Sequence, residues 1–163
     1  LTGLEGWLEL RNADQVLVNT RQAAGTRLRT GPQPPMLDRP MILPLRQDAG
    51  LGISYATLVQ PVLRDGQAVL NLSLTVLPHE FQRIIDEQHL PPGWLAAIID
   101  SQGRVVARHP RGEIHSGRPA TPDLQAHLDT EREGLVHSVS LDGDPVTLYF
   151  HTSPQGWTYL TGM

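Results

Sequence analysis

The sequence predicts an α+β fold of two small antiparallel sheets in tandem, joined by one helix. Two observations lead there. Glu5-Gly6-Trp7-Leu8 returns as Pro92-Gly93-Trp94-Leu95, an offset of 94 − 7 = 87, and each copy runs into an apolar stretch, a polar turn and a second β-prone stretch. Further on, the turn at Asp65-Gly66 matches the one at Gln155-Gly156, an offset of 156 − 66 = 90. A near-constant offset across a whole unit marks a duplicated fold.

The first unit opens with strands at 7–11 and 16–20 around the turn Asn12-Ala13-Asp14-Gln15. Residues 22–40 are rich in Pro, Gly and Arg and cannot hold a helix. A third strand follows at 41–45. Residues 53–63 and 67–76 form a hairpin closed by Asp65-Gly66, a pair suited to a turn that needs positive φ. That turn sets Gln60 opposite Asn71 and Leu58 opposite Ser73. Leu70, Leu72, Leu74 and Val76 then share the other, apolar face, together with Tyr55.

A helix is expected over 78–89, with Pro78 in its first turn and Phe81, Ile84 and Ile85 on one face; Pro91-Pro92 closes it. The second unit has strands at 95–99 and 104–108, then a helix with Thr121 as N-cap and Pro122 at the first position, burying Leu124 and Leu128. Strands at 135–141, 146–152 and 157–161 complete it. Trp94 and Trp157 read as core, with their ring N–H groups satisfied nearby. The expected division is 1–77, a connecting helix at 78–90, and 91–163. The second sheet has the 78–89 helix to cover it, whereas only six residues precede Trp7. A five-stranded sheet needs a cover for its apolar face, so a long N-terminal helix of the parent protein is expected to be missing here.

Composition narrows the function. Among 163 residues the net charge is −4, which argues against a nucleic-acid footprint. Cysteine is absent, excluding disulfides, thiolate metal sites and thiol nucleophiles. No apolar run approaches the ~18 residues that span a bilayer. Of the seven histidines, none pairs at i, i+4 on a helix, so no metal site is expected. There is no Gly-x-Ser-x-Gly elbow and no Gly-rich loop joining a strand to a helix. No catalytic residue and no cofactor is expected.

The tandem units, the Leu17-Val18-Asn19-Thr20-Arg21 run, the Leu90-Pro91-Pro92-Gly93-Trp94 junction and the closing Gly156-Trp157 strand resemble the double Cache sensors, tandem PAS-like domains, of bacterial transmembrane receptors. The resemblance is greatest to those of sensor histidine kinases. It implies an extracytoplasmic, periplasmic ligand-sensing module of an inner-membrane protein, held by flanking membrane helices outside these residues. The first unit would be membrane-distal and the second membrane-proximal, in a homodimeric receptor. The aromatic-and-arginine motif of amino-acid-binding members is not found in this sequence.

Five residues are candidates for ligand contact. Arg21 offers a planar fork that matches a carboxylate, with Asn19 two residues before it on the same strand face. Gln60, Asn71 and Ser73 place hydrogen-bonding groups on one hairpin face, which segment 22–40 can cover to form a pocket. The bland reading leaves all five facing water. The function expected is small-molecule binding, with an acidic ligand the match for Arg21, and transmission of a conformational change. The alternatives are the same sensor on a diguanylate cyclase or chemoreceptor, and a structural or dimerisation module that binds no ligand.

Overall fold

In the computed structural model, residues 5–31, 34–48 and 53–163 are described. The strands are β1 (Gly6–Arg11), β2 (Val16–Asn19), β3 (Met41–Asp48), β4 (Ile53–Arg64), β5 (Gln67–Val76), β6 (Leu95–Ile99), β7 (Val105–His109), β8 (Glu133–Val139), β9 (Pro145–Thr152) and β10 (Thr158–Gly162). The helices are α1 (Pro78–Asp86), α2 (Gly112–His115) and α3 (Pro122–Thr130). Two five-stranded sheets form, in the orders β2-β1-β5-β4-β3 and β7-β6-β10-β9-β8. Counted from the first strand of each sheet, both orders read 2-1-5-4-3, which is the duplication expected from the repeated Gly-Trp openings. Two compact units result, Leu1–Leu43 with Tyr55–Leu77, and Pro44–Ser54 with Pro78–Met163.

In the first unit the hairpin turns at Asp65 (φ 52°) and Gly66 (φ 79°), the two positive-φ positions of a type I′ turn. Its register corrects the sequence expectation. Arg64 pairs with Gln67 and Leu63 with Ala68, but Val62 pairs with Leu70, so Val69 is an extra residue that bulges. Gln60 therefore lies opposite Leu72 rather than Asn71, and Val59, not Leu58, lies opposite Ser73. Because side chains alternate at period two, this one-residue shift sends Gln60 to the opposite face from Asn71 and Ser73. Tyr55 moves as well. It shares the face of Asn71 and packs its ring on Trp7, with centroids 5.8 Å apart, instead of joining Leu72.

The apolar face crosses the strands as rows, Val18–Leu10–Leu72 and Leu8–Leu74–Leu58. Val18 is 47% exposed, Leu72 39% and Val62 44%. The helices of the chain make their main contacts with β6, β7 and β8, so among the described residues none covers this face.

In the second unit one sheet face carries the main apolar cluster. Leu95, Ala97, Ile99, Leu148, Phe150 and Leu160 on the sheet close on Leu124, with Leu128 packed against them. The opposite face takes α1, whose Phe81 ring lies 5.4 Å from that of Trp157 and whose Ile85 is buried. Ile84 instead stays 50% exposed, and α1 stops at Asp86, three residues before the expected end, where Gln88 and His89 close into tight turns. Strand β7 is a sheet edge, and Gln82 blunts it. The Gln82 amide donates to Arg108 O at 2.9 Å and accepts from Arg108 N at 3.0 Å, doing for one residue what a sixth strand would do. Thr121 is the N-cap residue of α3 with Pro122 after it, as expected, but its hydroxyl makes no cap bond and has no partner; Trp157 is buried as expected, but its ring N–H is without a partner; and α2 forms a single helical turn after β7.

Candidate functional site

Strict alternation along β1 places Trp7, Glu9 and Arg11 on one face of the first sheet. The register sets them beside Thr75, Ser73 and Asn71 of β5. The face is polar yet covered, and Arg11 explains how. This arginine is 8% exposed. One guanidinium nitrogen donates to Pro34 O (2.9 Å) and Met36 Sδ (3.4 Å), the other to Pro35 O (3.1 Å) and Asn71 Oδ1 (3.3 Å). Asn71 is fully buried. Its oxygen accepts from Leu37 N at 2.9 Å, and its nitrogen donates to Leu37 O at 2.9 Å and Leu70 O at 3.1 Å. Arg11 and Asn71 together staple residues 34–37, part of the Pro-rich segment, onto this face of the sheet. Backbone carbonyls and a side-chain amide satisfy the guanidinium; among the described residues no carboxylate comes within ion-pair distance of it. A buried cation without a counter-ion is costly, and only this dense set of acceptors makes it tolerable.

The sequence candidates distribute themselves around that core. Asn71 lies at its centre, and Ser73 is half-buried two residues along the same face. Asn19 ends β2 beside Glu9 and donates to Glu9 Oε2 at 2.9 Å. Arg21 is not on the strand. It sits in the turn beyond, where its backbone N–H donates to Asn19 Oδ1 at 2.9 Å, an Asx turn. Its guanidinium carbon stands 4.6 Å above the Trp7 ring centre, a cation–π stack at the rim. Gln60 is exposed on the other face and turns back to Pro61 O at 3.0 Å. Sequence reasoning missed Arg11, Trp7 and Glu9. The Trp-Leu-Glu-Leu-Arg alternation was the available signal, since it puts Arg11 on the polar side of a strand flanked by Leu8 and Leu10.

The second unit holds a separate buried cluster. Asp142 accepts from Arg108 (2.6 Å) on one oxygen, while Arg111 (2.6 Å) and His115 Nε2 (3.0 Å) lie on the other. Burial alone drives this carboxyl's pKa up, but the hydrogen bonds from Arg108, His115 and Arg111 outweigh it and hold the group well below the usual carboxylate range. The cluster ties β7 and α2 to the turn between β8 and β9. Among the described residues no group of three or more His, Asp or Glu side chains is placed to hold a metal.

No family model and no curated protein matches the chain. Solved structures do. The extracellular domain of rpHK1S-Z16, an assigned histidine kinase, superposes with a TM-score of 0.69 at 16% identity, over 97% of this chain and 70% of that one. That of mmHK1S-Z3, assigned likewise, gives 0.65 at 11% identity, over 98% and 72%. The ligand-binding domain of the Campylobacter jejuni chemoreceptor Tlp3, solved with L-valine, gives 0.55 at 14% identity, over 95% and 65%. These neighbours are sensory domains rather than catalytic ones. The chain thus has the Cache-like fold of extracellular sensor domains from histidine kinases and chemoreceptors, two five-stranded antiparallel sheets in tandem.

Proposed function

We propose that the chain is the extracytoplasmic ligand-sensing part of a bacterial transmembrane receptor, with a histidine kinase as its output. In this reading the first unit is membrane-distal and the second membrane-proximal, the receptor is a homodimer, and it sits in the inner membrane. The fold shared with kinase sensor domains supports the class. The carrying observation for the ligand is Arg11, a buried guanidinium beneath residues 34–37 that is held by carbonyls and, among the described residues, by no carboxylate. An acidic small molecule that replaces the Pro34 and Pro35 carbonyls gives Arg11 a charge-assisted, bidentate partner. Asn71 and Ser73 then offer further hydrogen bonds, with Asn19 and Arg21 at the rim. Binding in place of those carbonyls releases segment 34–37 from its staple, and that differential contact shifts a two-state equilibrium. In unit two Leu124 and Leu128 fill the corresponding space against the sheet, and the shift passes through this unit toward the membrane.

A thermal-shift panel of mono- and dicarboxylates against neutral analogues of the same size tests the reading. A ligand at 100 times its Kd adds about 2.7 kcal/mol. Stabilisation confined to the acids supports it. Stabilisation by neutral compounds alone, or by none, defeats it and favours a module that binds no ligand.

A further inference from the structure

We propose that the second unit carries an anion-binding cleft for a small soluble molecule with two or more phosphate or carboxylate groups. The cleft has a volume of about 500 Å³, within the range of small-molecule sites. Three arginines line it, Arg46, Arg104 and Arg118, with Gln47, Gln102 and Ser116 between them. Among the described residues no acidic side chain is in its lining. That is unusual in a chain of net charge −4. Three arginines elsewhere do find carboxylates, Arg83 with Glu80 and Glu87, and Arg108 and Arg111 with Asp142. Among the described residues none of the three cleft arginines forms an ion pair.

The segments that carry them are braced from behind. Asp100, 3% exposed, accepts the backbone N–H groups of Leu45 (2.8 Å), Gln102 (2.9 Å) and Arg104 (2.9 Å). One buried carboxylate therefore fixes the chain beside Arg46 together with the Gln102–Arg104 turn, without itself lining the cleft. Segment 117–120 is laced to the same turn, by Val105 N to Arg118 O at 2.8 Å, Ala120 N to Gly103 O at 2.8 Å, and Arg104 Nη1 to Gly117 O at 3.2 Å. Three forks on three braced segments suit a compact multivalent anion, which each guanidinium can meet bidentately. The cleft shares no residue with the Arg11 site.

Calorimetric titration with pyrophosphate and with citrate, in about 0.15 M salt where unpaired surface charge is screened beyond ~8 Å, tests the proposal. All three arginines are exposed, so Arg→Gln changes leave the fold in place. One saturable site per chain is expected for at least one probe. Arg104→Gln and Arg118→Gln should each weaken it about tenfold or more, and Arg46→Gln, on a different segment, should do the same. Arg132→Gln, which removes an equal charge elsewhere, should leave it unchanged. Absence of saturable binding overturns the proposal, as does equal weakening by Arg132→Gln. Binding to phosphatidylglycerol vesicles but to neither soluble probe overturns it too, by assigning the cleft to lipid headgroups.

Discussion

Arg11 and Asn71 stand opposite each other across the β1–β5 pair, and between them they hold four consecutive residues of the covering segment, Arg11 reaching Pro34, Pro35 and Met36 and Asn71 reaching Leu37. A buried polar pair of this kind holds a segment only while every member is satisfied.

Asn71→Leu should therefore cost more than the loss of one side chain suggests. It removes one of the four acceptors of Arg11 and the partners of both the Leu37 N–H and the Leu37 carbonyl. Each buried group left unpaired costs roughly 1–3 kcal/mol. Urea unfolding measures the loss, and proteolysis at 34–37 should accelerate in parallel. A change below about 0.5 kcal/mol would mean that other contacts hold the segment.

Arg21→Ala should be mild in stability and visible in Trp7. An exposed cation–π stack contributes about 0.5–1 kcal/mol, and the emission of Trp7 should shift when the guanidinium leaves its face. If Arg21 also meets the ligand at the rim, affinity for an acidic ligand falls about tenfold or more while the fold persists.

Asp142 gives the second unit an acid-sensitive anchor. Its folded pKa lies below the unfolded value of about 3.9, so over that window the unfolded chain binds more protons and stability rises with pH. The contribution is complete above roughly pH 4 and drains away as pH falls through the folded pKa. Asp142→Asn should lower stability at pH 7 by about 3–5 kcal/mol by leaving Arg108 buried and unpaired. It should also flatten the stability profile below pH 4, which denaturant titrations at a series of pH values will read directly.

Leu72 and Phe150 test which sheet face is closed. Phe150 is fully buried in the second core, and Phe150→Ala should cost about 3–5 kcal/mol. Leu72, 39% exposed, should cost under about 1 kcal/mol at high dilution. A large Leu72→Ala effect that grows with protein concentration would show the face covered by a second copy in solution.

Much of the fold was legible because local signals agreed with the global pattern. Gln67–Val76 follows from alternation and Leu95–Ile99 from a continuous apolar run, each bounded by turns, and Asp65-Gly66 announces its hairpin. What escaped was non-local or a matter of one residue. Nothing in Leu63–Ala68–Val69–Leu70 marks a bulge, yet that bulge moves Gln60 off the site face and Tyr55 onto it. Arg108 and Asp142, 34 residues apart, meet only through tertiary packing. Arg11 was hidden differently. It adjoins the polar turn at Asn12 and reads as a strand-end charge until the β1–β5 register sets it against Asn71.

The central claim is that the first unit recognises an acid through Arg11. Titration of the best-stabilising carboxylate into the wild-type chain, Arg11→Gln and Arg118→Gln measures it most directly. The account predicts that Arg11→Gln loses at least about tenfold in affinity, as befits a lost charge-assisted bond, while Arg118→Gln binds as tightly as the wild type. Equal affinity of Arg11→Gln and the wild type would contradict it.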